Sequence, residues 1–554
     1  MQAREILDRL RQMEIWPILA RAAANPDGIE LLTGVSGSQK TLIIAAFFQE
    51  LASPMLVITH GSHQAQVIAA DLATFLGPEK VAVFPEKELL PHEEAIDAEV
   101  IGGRVRALGC LARGERLAVV ASWPALRRRV PPPAALLANA LDLEVGGRHE
   151  LGPLVHALAE MGYERVEMVE GQGQFSVRGG ILDVFPYHEE APLRCEFFDE
   201  EIESIRRFSP ASQRSLAQLE RITVWPAREG LWRREDLAKG LPRIRAAAEK
   251  QAAKLRAVGR VEAAERLRAR MAELTERLAE RGHFPGADQF LPFLAELVPV
   301  FAYLAGAKIV LDEPVRSLEY LETVELEEAK ILADLLERGA ILPEEQGLYL
   351  SASDLAAQTM AAKPFCLSLL VKSIKGHPPR HLHTVPVASP PPYHANLENL
   401  GADLRRWRHG GFSVVMVVGT RERGERLREF MADQGIEVVW AERARAGLAP
   451  GNLILLQGEL ASGAEFPPLK LIILSEAEIY GKLKRRRQAR FAQEGLKISD
   501  LADLKVGDYV VHLNHGIGQY MGMQTLEIAG VHRDYLLIQY AGDDRLFVPT
   551  DQVN

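Results

Sequence analysis

The stretch LLTGVSGSQKTLIIAAFF, Leu31 to Phe48, decides how the first third of the chain is read. Gly34 opens a phosphate-loop spacing and Lys40-Thr41 closes it, but Gln39 stands where the pattern wants a second glycine. That glycine lets the backbone wrap a phosphate with no Cβ in the way. Gln39 puts a side chain there, while Gly34, Gly37, Lys40 and Thr41 keep the rest of the pattern. Two readings stay open: a nucleotide site that binds weakly, and a relic held by packing.

The surroundings suit a phosphate loop. Apolar runs IELLTGV, MLVITH, VAVFP and LAVVAS alternate with helical patterns between Gly28 and Trp123. Continuous apolar strands between helices predict a parallel sheet covered on both faces. In such a sheet the turn between first strand and first helix is where phosphate binds. A later apolar run, AKIVLDEP, ends in Asp312-Glu313, the place of the acidic pair that handles magnesium in phosphate-loop ATPases. A capped strand end would look the same.

Between these pieces the pattern changes. VPPPAAL at Val130–Leu136 breaks the rhythm, and short alternating strands follow from Gly162 to Pro226. Residues 232–281 are rich in Ala, Leu, Arg and Glu and read as long solvated helix or a hairpin. The α/β domain is therefore expected to be split, with a small antiparallel β domain inserted. GHPPRHLHTVPVASPPPYH, Gly376–His394, reads as an extended, stiff linker. A second small α/β unit follows it, then the basic, helix-prone KLKRRRQARFAQEG. The last 55 or so residues are β again, with Gly516 and Gly518 at a bend and a hairpin turned at AGDD.

Composition narrows the classes. The chain has 554 residues, 47% of them hydrophobic and 25% charged, as in globular proteins of several domains. Lys and Arg total 65 against 75 Asp and Glu, a net charge of -10, so any nucleic-acid contact must be a local patch. Such contact is open for RRWRHGG, Arg405–Gly411, and for KLKRRRQAR; a solvated face would read the same. Three scattered cysteines, Cys110, Cys195 and Cys366, form neither a disulfide framework nor a zinc set and fit a reducing cytosol. His512 and His515 lack a third ligand nearby, so no metal site is expected. No apolar run approaches the ~20 residues of a membrane span, and no fixed-period repeat is present. No Ser/His/Asp or Cys/His arrangement announces catalysis, and no catalytic residue is assigned.

In LRCEFFDEE, period-2 alternation places Leu193, Cys195 and Phe197 on one face and Arg194, Glu196, Phe198 and Glu200 on the other. Phe198 is thus an aromatic on a charged face. Either a second layer covers it, or it belongs to an Arg-and-aromatic interface.

The order of these parts resembles one family. FSVRGGILDVFP at Phe175–Pro186 and the block VGDYVVHLNHGIGQY to LFVP near the end are its specific strings. Together with the split phosphate-loop domain they resemble the N-terminal half of bacterial transcription-repair coupling factors (Mfd), over nearly the whole chain. The first ~350 residues also resemble the repair helicase subunit UvrB. The implied fold is a multi-domain α/β chain. It has a degenerate, RecA-like and UvrB-like phosphate-loop domain (1–130 and 228–375), an inserted β domain (131–227) and a proline-rich linker (376–395). A small α/β domain (396–480), a basic connector (481–500) and a small CarD- or Tudor-like β-barrel (501–554) complete it.

The resemblance implies functions too. Arg178, Arg194 and Phe198 match contact positions on the surface that binds UvrA. The terminal module resembles the RNA-polymerase-interacting domain, which pairs a strand edge with the polymerase β subunit. Thr525, Leu526 and Glu527 are the expected contacts there, unless Leu526 fills the barrel core. The family continues into an ATP-dependent translocase motor on double-stranded DNA and a C-terminal part that covers the UvrA patch until polymerase is engaged. The chain ends at Asn554 just after a strand, so a truncated chain is expected, cytoplasmic and off the membrane, with ATP and magnesium confined to the absent motor. The alternative is a UvrB-type ATP-dependent repair subunit with a working nucleotide site.

Overall fold

The computed structural model describes residues 4–24, 26–87, 98–443, 448–481, 507, 509–512, 516–528, 531–539 and 545–549. The chain divides into two compact units, Met1–Leu483 and Lys484–Asn554.

In the first unit the strands β1 (Glu30–Thr33), β2 (Met55–Thr59), β3 (Val81–Phe84) and β4 (Ala118–Ser122) come first. An inserted segment supplies β5 (Leu141–Glu144), β6 (Glu164–Arg165), β7 (Gln174–Arg178), β8 (Ile181–Val184), β9 (Leu193–Phe198), β10 (Glu201–Phe208), β11 (Ser215–Leu219) and β12 (Arg221–Val224). The chain then returns through β13 (Lys308–Asp312), β14 (Phe365–Ser368) and β15 (His381–Thr384). A seven-stranded sheet results, ordered β15-β1-β14-β13-β2-β4-β3, with every neighbouring pair parallel. All residues of β1, β2 and β4 are buried, as helices on both faces require. Strands from both sides of the inserted segment thus share one sheet.

The proline-rich stretch 376–395, expected as an extended, stiff linker, takes part in the first sheet. Its residues His381–Thr384 form the edge strand β15 in register with Glu30–Thr33. The buried Glu30 carboxylate is hydrogen-bonded by His381 Nδ1 at 3.0 Å and His383 Nε2 at 2.8 Å. The prolines flank the strand, where their missing N–H groups cost no ladder bond.

The second α/β domain carries β16 (Ser413–Val418), β17 (Val439–Trp440), β18 (Leu453–Gln457), β19 (Ala464–Phe466) and β20 (Leu471–Leu474) in the order β17-β18-β16-β20-β19. Val415, Val417, Phe466, Leu471 and Ile473 share one apolar core with Leu42, Ile43, Phe47 and the N-terminal helix residues Ile6, Leu7 and Leu10. The helix Ser38–Glu50 lies inside this shared core, and every residue from Ser38 to Phe48 is buried. This is why TLIIAAFF is apolar all round rather than on one stripe.

The inserted domain is a six-stranded sheet, β11-β10-β9-β8-β7-β6, whose inner face packs Phe175, Leu182, Cys195 and Ile205 against Leu154 and Leu158 of the helix Leu151–Glu160. Arg104 Nε and Nη2 reach both oxygens of the buried Glu229 at 2.9 and 2.8 Å, which ties the exit of the insertion to the first sheet's helices. Residues 232–281 are not simply solvated helix. Arg234–Ala257 and Val261–Arg281 form a hairpin that buries Ile244, Ala252 and Leu255 against Ala264, Leu267, Met271 and Leu278.

The second unit contains an antiparallel sheet of β21 (Tyr509–His512), β22 (Gly516–Ile528), β23 (Val531–Gln539) and β24 (Arg545–Pro549), in that order. The basic connector at 482–500 lies outside the described residues.

Candidate functional site

Gly34 and Gly37 take positive φ, 81° and 48°, between β1 and the helix Ser38–Glu50, as the phosphate-loop spacing requires. Polar groups of the loop find their partners within the chain. Gln39 Oε1 accepts the Ser36 N–H at 2.9 Å, and Gln39 Nε2 donates to the Ala388 carbonyl at 3.0 Å and Ser389 Oγ at 3.3 Å. Ser38 N–H donates to Ser462 Oγ at 3.0 Å, so a loop donor that would face a phosphate already has an acceptor. Thr41 Oγ1 donates to Asp71 Oδ2 at 3.3 Å.

Lys40 is committed as well. Its Nζ lies 2.7 Å from Asp312 Oδ1 and 2.6 Å from Glu313 Oε1. The acidic pair at the end of β13 and the lysine of the loop thus meet, and the three charges close on each other. Glu313 stands at φ 46°, a left-handed conformation for a non-glycine residue, and also accepts from the Leu369 N–H and the Ser368 hydroxyl, each at 2.8 Å. Burial raises its carboxyl, but the Lys40 hydrogen bond and charge, with these two donors, bring it below its ordinary value.

In the inserted domain, β9 alternates as its sequence predicts: Leu193, Cys195 and Phe197 are buried, and Phe198 is 72% exposed. Register carries Asp183 of β8 opposite Arg194 of β9, and Arg178 ends β7 one strand further on. The buried Asp183 carboxylate takes Arg194 Nε at 2.7 Å, Arg194 Nη2 at 2.8 Å and Arg178 Nη2 at 3.0 Å. Arg178 and Arg194 thus share one counter-ion. Arg194 also donates to Gln213 Oε1 at 2.8 Å and lies over the Phe208 ring, 4.3 Å from its centroid. The Asp183 hydrogen bond, ahead of opposing burial, raises the guanidinium further. Arg194 is mostly covered, with 13% of its side chain exposed, while Arg178 keeps 49%. The sequence reading missed Asp183, Gln213 and Phe208. Alternation in ILDVF signals Asp183, since it puts that residue on the face opposite the buried Leu182.

In the second unit Thr525, Leu526 and Glu527 lie on β22, opposite Asp534, Arg533 and His532 of β23. β21 pairs only with Gly516–Gln519, and β24 pairs only with Tyr535–Gln539. Among the described residues the hairpin end Gln524–Asp534 therefore has no strand on either outer edge.

Of the basic runs, Arg405 donates to the Gln434 carbonyl at 3.1 Å and Arg406 pairs with Asp403 at 2.9 Å. KLKRRRQAR lies outside the described residues, as does His515.

Comparison with known proteins fits this arrangement. Residues 141–229 match the UvrB interaction domain family, and residues 504–554 match the CarD-like/TRCF RID domain family. A transcription-repair-coupling factor of Bacillus subtilis (strain 168) is 33% identical over 530 residues, which are 95% of this chain and 44% of that protein. The chain is homologous to transcription-repair-coupling factors. A coupling factor of Staphylococcus aureus (strain MRSA252) is 26% identical over 533 residues, again 95% of this chain and 44% of the relative. The chain thus spans less than half the length of these relatives. In this coupling-factor homologue Arg178, Arg194 and Phe198 fall within the UvrB interaction match, and Thr525, Leu526 and Glu527 within the RID match. The loop Gly34–Lys40 falls in neither. No helix among the described residues is long and apolar enough to cross a membrane.

Proposed function

We propose that this chain is the docking half of a transcription-coupled DNA-repair factor, joining UvrA to RNA polymerase without chemistry of its own. The observation that carries the reading is the exposed Phe198 on the same strand as Arg194, whose guanidinium shares the Asp183 carboxylate with Arg178, inside a segment that matches the UvrB interaction domain. An exposed aromatic on the same strand as a pre-oriented arginine is the composition of an interface hot spot. The arginines need no ordering on binding, because Asp183 already holds them. UvrA is the partner by family resemblance.

The polymerase contact is the edge of the hairpin Gln524–Asp534 that has no strand partner among the described residues. A strand of the polymerase β subunit adds to it through backbone hydrogen bonds, with Thr525, Leu526 and Glu527 selecting the partner. Double-stranded DNA is handled by the motor of the complete protein. The loop Gly34–Lys40 takes no nucleotide, since Gln39, Lys40 and Thr41 all hold partners within the chain. That commitment disfavours the UvrB-type alternative with a working ATP site. Titration of the chain with UvrA, by calorimetry, tests the main reading. Binding that is lost in Phe198→Ala with an unchanged circular dichroism spectrum supports it. Equal binding by Phe198→Ala and an Arg178→Ala/Arg194→Ala variant contradicts it.

A further inference from the structure

A phosphate loop presents a helix N-terminus, backbone N–H groups and a hydroxyl, and here the N–H and hydroxyl of Ser38, at that N-terminus, face the loop Gly458–Gly463 that follows β18. Ser462 Oγ accepts the Ser38 N–H at 3.0 Å, the role a phosphate oxygen would fill. In return Ser462 N–H donates to Ser38 Oγ at 3.0 Å. Asp71, 2% exposed on the helix Ser62–Leu76, accepts from Ser38 Oγ at 2.6 Å, Thr41 Oγ1 at 3.3 Å and the Ala461 N–H at 2.8 Å. Thr74, on the same helix, exchanges hydrogen bonds with Glu459: the Glu459 N–H donates to Thr74 Oγ1, and Thr74 Oγ1 donates to the Glu459 carbonyl, both at 2.8 Å. The fit is close at two glycines. A Cβ on Gly37 would stand 2.2 Å from Ser462 Oγ, and one on Gly458 would stand 2.4 Å from Thr74 Cγ2.

We propose that the degenerate phosphate loop is the socket by which the first α/β domain holds the second, with Ser462 seated where a phosphate oxygen would sit, so that loop 458–463 and a nucleotide exclude each other. The inference rests on the reading that the loop takes no nucleotide, and it adds what the loop does instead. It explains why Ser38 and Thr41 are buried polar side chains at the heart of an apolar core. They complete the hydrogen bonding of a buried carboxylate that also holds the opposite loop, and a buried carboxylate short of donors is costly.

Amide hydrogen exchange on the whole chain tests this. Ser38→Ala removes the acceptor of the Ser462 N–H and one donor to Asp71. Exchange at Ala461 and Ser462 should then speed up by about tenfold or more, with the β16 and β20 amides unchanged. Ser462→Ala, on the half-exposed side of the contact, should expose the Ser38 amide in the same way and serves if Ser38→Ala does not fold. Unchanged protection at all three amides in the folded variants overturns the socket. Adding millimolar magnesium-ATP to the unaltered chain separates the two readings. No change in either loop supports both. Protection of residues 36–41 with loss of protection at 458–463 supports mutual exclusion but ends the reading without nucleotide. Protection of 36–41 while 458–463 stays protected overturns the exclusion.

Discussion

At Lys40 three charges meet with little water. The lysine side chain is 8% exposed and Asp312 is 4% exposed, so removing the cation leaves two carboxylates with no counter-charge. Lys40→Met should therefore cost about 3 kcal/mol of stability, read from urea unfolding, rather than a nucleotide-dependent activity. A variant as stable as the parent would contradict the pairing. Glu345 makes the opposite case. Burial pushes its carboxyl up to about 8, against the Leu342 N–H it accepts at 2.8 Å and the charge of Arg270. A group whose folded pKa is raised contributes stability below its unfolded value, and that contribution is lost as pH rises toward the folded one. Here the window runs from the ordinary 4.5 to about 8. Glu345→Gln keeps the acceptor and cannot ionise. It should be about 1–3 kcal/mol more stable than the parent at pH 7 and no different at pH 4. Unfolding curves at the two pH values check the sign. Neither partner set could be seen in the sequence alone: Asp312 lies far along the chain from Lys40, and only the register of β13 beside β14 and β2 brings them together.

At the scale of elements, periodicity was the legible part. Apolar runs predicted β1, β2, β3, β4 and β13, and alternation in LRCEFF predicted which side of β9 faces the core. Residues 376–395 were misread because proline and histidine content resembles a linker, while the strand His381–Thr384 depends on Glu30, a partner far away in sequence. The helix pair 234–281 read as solvated helix or a hairpin because Arg and Glu surround its apolar positions, and the structure takes the hairpin, whose buried face mixes leucines with alanines that surface positions also carry. The hairpin of β22 and β23 makes a prediction at this scale. A partner strand along the open edge of Gln524–Ile528 must accommodate residue 526. Leu526→Arg should weaken binding to the polymerase β subunit about tenfold or more, in a pull-down quantified by titration, and leave UvrA binding alone. Unchanged polymerase binding would remove this edge from the interface, and loss of folded β signal would assign Leu526 to a core instead.

For the whole molecule, the order of domains was readable because each contributes its own pattern. The residues that hold them together were not, because Ser462, Asp71 and Ala388 are ordinary letters until the two α/β domains share a core. On the proposed reading the two binding modules work independently of each other. Immobilised polymerase β subunit, the chain and UvrA in one buffer test this most directly, by surface plasmon resonance with sequential injection. UvrA should bind the surface only after the chain has been captured. Phe198→Ala should abolish the UvrA step and leave capture unchanged, while Leu526→Arg should weaken capture about tenfold or more and leave UvrA binding in solution unchanged. UvrA recruitment that survives Phe198→Ala, or a single substitution that abolishes both steps in a folded chain, would contradict it.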